Sequence, residues 1–236
     1  MELHGYHTQK IIIHEIFSGN FPRFSCFRFF LSNVLTYGVG YASANTGVGK
    51  FSQGDLSGWE EKSFNGNSQY SFVEMETGKV LRASTKGKAS GLFKQTRVDL
   101  VETPWINWSW RVNNIYKNNN ERSKEGDDYA ARVYVVVSGG IFFWNTRAIN
   151  YVWASHEPKD SSWPNAYTNN AKLLAVRSGK LQIGQWIKEK RNVREDLKHL
   201  FGEDITQIDV VAVMVDGDNT GQSAISYFGD IYFTEN

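Results

Sequence analysis

A chain of 236 residues can hold one large domain, and a composition that is 41% hydrophobic and 14% aromatic supplies it with a substantial core. Lysine and arginine (26) balance aspartate and glutamate (25), and no basic tract is present, which argues against a nucleic-acid partner. The single cysteine, Cys26, excludes an intrachain disulfide framework and a cysteine-rich zinc site.

Residues 1–44 differ in character from the rest of the chain. Arg28 precedes a short, mainly apolar stretch over residues 29–41, and the sequence Ala-Ser-Ala follows at residues 42–44. A positive charge, an apolar segment and an A-x-A site are the parts of a secretory signal, whereas a membrane span needs about 20 apolar residues. The sequence therefore predicts a leader over residues 1–44, a periplasmic or secreted location and no transmembrane segment. An irregular extension that packs on the domain is the alternative.

The remainder, residues 47–236, shows no second linker and predicts a single domain of short strands separated by turns. The predicted strands cover residues 69–74, 80–84, 91–98, 105–112, 129–137, 148–153, 172–178, 186–191, 208–216, 223–228 and 231–234. One helix interrupts them near residues 192–201, with Asn192 as its N-cap, acidic residues in its first turns and Gly202 after its end. This pattern predicts an all-β fold, a two-sheet β-sandwich.

The segment WINWSWRV shows the two faces of a strand most clearly. Its apolar face is predicted to lie in the core and consists of Ile106, Trp108, Trp110 and Val112. Its other face is polar and aromatic and consists of Trp105, Asn107, Ser109 and Arg111. That second face suits either a half-exposed binding surface, with Trp105 as a stacking platform, or an ordinary solvated face.

Both ends of the domain resemble galactose-binding-like jelly rolls. GKFSQGDLSGWEEKSF, at residues 49–64, resembles their opening strand, and ISYFGDIYF, at residues 225–233, resembles their closing strand. The resemblance implies that the first and last strands pair in one sheet. It also implies a structural calcium ion held partly by an acidic residue of the last strand, for which Asp230 is the counterpart and Asp55 a neighbour. A likeness of fold implies no function by itself.

A second resemblance covers nearly the whole domain, from about residue 51 to residue 233. The motifs WSWRV, GDDYAARVYVVV, AINYVWA, WPNAYT, VRSG, KRNVREDLKHLFGE, VAVMVDGDNTG and YFGDIYF occur in order. Together they are similar to an uncharacterised bacterial family, domain of unknown function 3047. The resemblance implies a bacterial, exported, jelly-roll-like domain without an established reaction.

The stretch EGDDYAARVYVVV places two carboxylates and an arginine beside an apolar run. Asp128 and Arg132 are four residues apart, about 13 Å along an extended strand, so they cannot pair with each other. Arg132 therefore needs partners from neighbouring strands, since an unpaired buried charge costs several kcal/mol.

A polar patch is one arrangement that provides such partners. We expect a sheet to bring Arg132 together with Asn150, Glu189 and Arg191. Asp128 and Tyr134 are predicted to share a strand face with Arg132, and Tyr134 is a candidate stacking surface together with Trp105 and Trp163. Such groups beside an aromatic ring suit a sugar, because its hydroxyls form hydrogen bonds while its C–H face packs on the ring. An ion-pair network that ties strands together is the alternative.

Two loops carry further candidates. DGDNTG, at residues 216–221, begins like a calcium loop but lacks the acidic residue at position twelve, where Tyr227 stands. A glycine-rich turn is the alternative. WPNAYT, at residues 163–168, offers Trp163 and Tyr167 as a stacking platform, or Trp163 as a plug at one end of the sandwich.

These features predict a non-catalytic protein that binds a carbohydrate or another polyhydroxylated ligand. A polysaccharide hydrolase or lyase with Asp128 and Glu189 as its acid/base pair is one alternative, and a structural envelope protein is another. Signals for an enzyme are weak, because the domain has only two histidines, His156 and His199, and no nucleophile or phosphate-binding motif.

Overall fold

The computed structural model describes residues 45–140 and 143–236. The predicted leader, residues 1–44, lies outside the described residues. Fourteen strands and one α-helix are present among those described: β1 (Asn45–Gly49), β2 (Trp59–Asn65), β3 (Gln69–Met75), β4 (Gly78–Lys86), β5 (Ala89–Asp99), β6 (Trp105–Val112), β7 (Arg132–Val137), β8 (Arg147–Ala154), β9 (Ser162–Asn165), β10 (Thr168–Ser178), β11 (Ile187–Asn192), α1 (Val193–Phe201), β12 (Gln207–Asp216), β13 (Ser223–Phe228) and β14 (Ile231–Thr234).

The strands form two seven-stranded sheets. The first has the order β1-β14-β6-β13-β4-β3, with β11 pairing to the free side of β6. The second has the order β2-β5-β12-β7-β8-β10-β9. The strand β1 pairs antiparallel with β14, so the first and last strands of the domain share a sheet. The segment predicted to be the opening strand, residues 49–64, instead contains β2, which pairs with β5 in the second sheet. The fold is the predicted two-sheet jelly-roll sandwich.

One hydrophobic core lies between the sheets, and strand alternation builds it. The four apolar residues of the segment 105–112 are at most 2% exposed, as their spacing predicted, and their neighbours in sequence are half-buried on the other face. In the second sheet, Val133 and Val135 of β7 and Val211 and Val213 of β12 face this core. The residues between them face away, on what we call the outer face of the second sheet.

The predicted helix is confirmed, together with its caps. The side chain of Asn192 accepts a hydrogen bond from the backbone N–H of Glu195, and Gly202 ends the helix in the left-handed conformation with φ 74°.

The strand predicted over residues 129–137 begins only at Arg132. Residues 119–131 form an irregular segment instead, with a 3-10 turn at Lys124–Gly126. Tyr129 therefore does not continue the core face of β7. It packs against Trp163, with 6.5 Å between ring centroids, in a separate cluster on the outer face of the second sheet.

Candidate functional site on the outer face of the first sheet

The predicted polar patch does not form. Arg132 on β7 and Asn150 on β8 lie on the outer face of the second sheet, opposite the core residues Val133 and Ile149. Glu189 and Arg191 lie on β11, which pairs with β6 in the first sheet. Their register partners are the core residues Trp108 and Ile106, so they point toward the interior of the sandwich. The prediction that these four side chains converge is wrong, because the second sheet separates them.

Arg132 is instead the centre of a buried ion network. The guanidinium is 1% exposed, and its Nε donates to Asp216 Oδ1 at 2.9 Å while its Nη2 donates to Asp216 Oδ2. It also donates to the carbonyl of Asp127 at 2.5 Å and stacks 4.3 Å from the ring centroid of Tyr129. Burial alone would lower the pKa of Arg132, but the nearby carboxylates of Asp216 and Asp127 outweigh it and raise that pKa. Asp216 lies on β12, which pairs with β7, so the partner of Arg132 comes from a neighbouring strand, as predicted from the sequence.

Asp128 belongs to a cluster of carboxylates at the end of β12. Ligand oxygens of Asp128, Asp216 and Asp218 lie within 4.8 Å of one another. Asp128 accepts backbone hydrogen bonds from Asn219 at 3.2 Å and Thr220 at 2.6 Å, and burial together with the carboxylate of Asp128 raises the pKa of Asp218. Backbone N–H groups of the segment DGDNTG, residues 216–221, thus donate to Asp128. The segment forms a turn, and these hydrogen bonds to Asp128 stabilise it.

Glu189 and Arg191 belong to two separate networks, the first buried and the second half-buried. Glu189 is 7% exposed and accepts from Arg177 at 2.6 and 3.0 Å and from the indole N–H of Trp110 at 3.0 Å. Arg191 pairs with Asp196 of α1. The hypothesis of Asp128 and Glu189 as an acid/base pair is wrong, because both carboxylates are buried and engaged in different networks.

The remaining candidates on the second sheet are also covered. Trp163 is 2% exposed and donates to the carbonyl of Glu121 at 3.2 Å, so it is covered within the cluster on the outer face of the second sheet and forms neither an exposed platform nor a plug in the main core. Asn150 is 2% exposed, and among the described residues its Oδ1 has no hydrogen-bond partner. Tyr134 is half-buried, with its hydroxyl 3.4 Å from the sulfur of Met214.

The residues predicted to hold calcium are engaged by the protein. Both carboxylate oxygens of Asp230 accept from Ser52, one from the backbone N–H at 2.7 Å and one from the hydroxyl at 2.6 Å. Asp55 accepts from the backbone N–H of Ser57 at 2.7 Å. A cation would have to displace these donors. Calcium at Asp230 stays a prediction, with a higher melting temperature in calcium than in chelator as its expected result; identical melting temperatures would remove it.

An open groove lies on the outer face of the first sheet. Asn107 on β6 is the register partner of Lys190 on β11 and of Tyr232 on β14, so the three side chains form a row across adjacent strands. Ser109 lies two residues further along the same face, opposite Lys188. These residues line a cavity of about 370 Å³ that opens to solvent.

The walls of the groove combine aromatic surface with hydrogen-bonding groups. Tyr232 is 39% exposed, and Trp105 lies on the same face with Lys190 Nζ 5.0 Å from its ring centroid. The amide nitrogen of Asn107 donates to Thr234 Oγ1 at 3.0 Å and to the carbonyl of Trp105 at 3.1 Å. These bonds fix the amide, and its Oδ1 accepts no bond from any residue that the structure describes.

A glycine keeps the hydroxyl of Ser109 in the groove. The backbone N–H of Gly229, just before β14, donates to the carbonyl of Ser109 at 2.9 Å. A Cβ at Gly229 would lie 2.2 Å from the Ser109 hydroxyl oxygen, so only glycine passes here without displacing it.

Sequence reasoning identified one wall of this groove and missed the others. Trp105, Asn107 and Ser109 were recognised as a candidate binding face of β6. Lys190 and Tyr232 were missed because nothing local to the sequence indicates that β11 and β14 are the neighbours of β6. Their alternation with buried residues was visible, but it does not determine strand order.

The fold and this groove define a jelly-roll β-sandwich with an open polar and aromatic surface on one sheet. The chain belongs to the family described as Protein of unknown function (DUF3047), whose model matches residues 57–232. This match confirms the family resemblance of the sequence motifs. Comparison with curated proteins gives no significant match. Among the described residues, no helix has the length and apolar character that a bilayer crossing requires.

Several solved structures are similar to the chain at low identity. A family 11 carbohydrate-binding module from Clostridium thermocellum, in complex with a beta-1,3-1,4-mixed-linked tetrasaccharide, has 12% identity and a TM-score of 0.41, covering 82% of this chain and 96% of that one. A family 30 carbohydrate-binding module of a cellulosomal cellulase of the same organism has 11% identity and a TM-score of 0.43, and the match covers 76% of this chain and 92% of that one. A cleaved adhesin domain of Lys-gingipain from Porphyromonas gingivalis has 12% identity and a TM-score of 0.40, covering 82% and 99%.

Proposed function

We propose that the domain binds a carbohydrate or another polyhydroxylated ligand, without catalysis, in the groove on the outer face of the first sheet. The observation that carries the proposal is the row Lys190–Asn107–Tyr232, in which a cation, a fixed amide and an exposed aromatic ring lie side by side. Two acidic residues, Glu189 and Asp230, also line this groove, and the protein itself engages both carboxylates: Arg177 and Trp110 donate to Glu189, and Ser52 donates to Asp230.

The groove matches the chemistry of a sugar ring. The C–H face of a sugar packs on an aromatic ring while its hydroxyls bond to amide, hydroxyl and ammonium groups. Tyr232 offers the ring, and Asn107 Oδ1, the Ser109 hydroxyl and Lys188 Nζ offer hydrogen bonds. A volume of about 370 Å³ lies at the lower end of the usual range for ligand pockets.

A glycan array of the purified domain tests the proposal. Wild type is expected to bind at least one neutral or acidic glycan. Tyr232→Ala is expected to weaken that binding about tenfold or more, because truncating a central aromatic contact commonly costs more than about 1.4 kcal/mol of binding free energy. The melting temperature of Tyr232→Ala should equal that of wild type.

Trp144→Ala is the matched control, because Trp144 is another exposed aromatic residue, 55% accessible, between β7 and β8 of the second sheet. Its binding should equal that of wild type. If wild type binds no glycan, or if Tyr232→Ala binds as tightly as wild type, the groove is not a carbohydrate site.

Export is the second part of the proposal. It is supported by the apolar stretch and the Ala-Ser-Ala sequence that precede residue 45. A periplasmic or secreted location would expose the groove to glycans outside the cytoplasm. N-terminal sequencing of protein recovered from a host envelope fraction should then begin at Asn45, and an intact Met1 would contradict export.

A further inference from the structure

A second cavity lies at one end of the sandwich, where three chain connections meet. Residues 113–118 follow β6, Ser155 and His156 follow β8, and residues 179–183 follow β10. The cavity measures about 530 Å³ and shares no lining residue with the groove on the first sheet. It is therefore a separate place on the molecule, formed by loops rather than by a sheet face.

Hydrogen bonds join the three connections beneath this end cavity. The backbone N–H of Tyr116 donates to the hydroxyl of Ser155 at 3.0 Å, linking the first connection to the second. The indole N–H of Trp153 donates to the carbonyl of Gly179 at 3.0 Å, linking β8 to the third. A preformed cavity binds a ligand without first paying the entropy of ordering its loops.

Glu121 anchors the second connection from below. Its carboxylate is 2% exposed and accepts the backbone N–H groups of Ser155 at 2.7 Å, His156 at 2.9 Å and Glu157 at 2.8 Å. Burial raises the pKa of Glu121 although these three donors oppose the shift. Its negative charge is directed into the backbone of the loop and does not line the end cavity.

The lining of the end cavity carries positive charge without any carboxylate. Lys117 and Lys180 line it and are exposed, and neither lysine forms an ion pair with any residue of the described ranges. Exposed amides at Asn113 and Asn118 add hydrogen-bonding groups at the rim.

The floor of the end cavity is apolar. Ile115 and Ile183 are half-buried and pack against the main core. The cavity thus combines cationic donors, amides and a small apolar surface, which is the complement of a compact molecule with a carboxylate, several hydroxyls and a C–H face.

We propose that the end cavity binds a small hydroxylated carboxylate, such as a uronic acid, with Lys117 and Lys180 at the carboxylate and the amides of Asn113 and Asn118 at the hydroxyls. The site goes beyond the carbohydrate groove and does not depend on it.

NMR titration of the domain with glucuronate tests the proposal, and glucose, which lacks the carboxylate, is the uncharged control ligand. Glucuronate is expected to shift the backbone amides of residues 113–118, 155–156 and 179–183, whereas glucose at the same concentration leaves them in place. Lys117→Gln/Lys180→Gln is expected to weaken glucuronate binding about tenfold or more, since each charge-assisted hydrogen bond is worth roughly that factor. Both lysines are exposed, so the variant should fold.

Lys188→Gln/Lys190→Gln is the control, because it removes the same two charges from the groove on the first sheet. It should bind glucuronate at the end cavity as wild type does. Three results would overturn the proposal: glucose shifts the same amides as glucuronate does, glucuronate shifts none of them, or Lys117→Gln/Lys180→Gln binds glucuronate as tightly as wild type. Equal shifts with inorganic phosphate would show recognition of bare anions and overturn its hydroxyl part. None of these outcomes bears on Tyr232 or on the glycan array.

Discussion

Replacing Arg132 with methionine is expected to lower the free energy of unfolding by about 3–5 kcal/mol, the usual cost of removing one partner of a buried ion pair. The guanidinium is 1% exposed and makes two bonds to Asp216 and one to the carbonyl of Asp127. Methionine fills similar space but leaves the Asp216 carboxylate buried and uncompensated. Chemical denaturation at pH 7 measures the loss.

The loss should depend on pH in a defined direction. Burial raises the folded-state pKa of Asp216 above its unfolded value even beside Arg132, whose guanidinium opposes the shift, and removing the guanidinium raises that pKa further. A carboxylate with a raised pKa weakens the fold at pH values above that pKa, and the penalty disappears as pH falls and the group takes up a proton. The difference between Arg132→Met and wild type should therefore shrink from pH 7 toward pH 4.

Two further variants isolate the cause. Arg132→Met/Asp216→Asn removes the stranded charge, keeps an acceptor for the backbone N–H of Tyr129, and should recover much of the lost stability. Arg122→Met breaks a pair with Glu157 in which the arginine side chain is 51% exposed, and should cost at most about 1 kcal/mol. An Arg132→Met protein as stable as wild type would show that the network is dispensable.

The second large effect is expected at Glu189. Glu189→Leu should cost about 2–4 kcal/mol, because it leaves the buried indole N–H of Trp110 without an acceptor and Arg177 without its carboxylate. Arg177 is 21% exposed and can turn partly to water, which keeps the cost below that at Arg132. Glu189→Gln retains an oxygen for Trp110 and should cost less. Thermal and chemical unfolding measure both.

The Glu189 series separates a structural role from a functional one. Glu203→Leu is the control, since Glu203 pairs with Arg147 on the surface with its side chain 47% exposed, and little change is expected there. A Glu189→Leu protein with full stability and lost glycan binding would instead make Glu189 a ligand residue.

Local sequence patterns determined the strands themselves well. The bounds predicted for residues 105–112, 223–228 and 231–234 agree with β6, β13 and β14, because alternation and turn residues are properties of neighbouring positions. Asn192 and Gly202 likewise marked both ends of α1. Three edge strands were missed: β1 has the short, glycine-rich sequence NTGVG, β2 is dominated by charged and polar residues, and β9 contains Pro164, which argues against a strand.

The arrangement of strands was beyond the reach of the sequence, and the site depends on it. Arg132 and Glu189 were both assigned to one polar patch, yet β7 and β11 belong to different sheets. The partner of Arg132, Asp216, lies 84 positions away, and its turn was recognised only as a possible calcium loop. Tyr232 became a candidate only once β14 was seen to lie beside β6.

Chemical-shift mapping by NMR, with the strongest ligand from the glycan array, tests most directly where the domain binds its ligand. The expected result is that the backbone amides of residues 105–109, 188–190 and 230–232 shift, while those of residues 132–134 and 148–152 stay in place. Shifts confined to residues 132–134 and 148–152, with the groove unchanged, would place the ligand on the second sheet and contradict the assignment of Arg132 to a structural network.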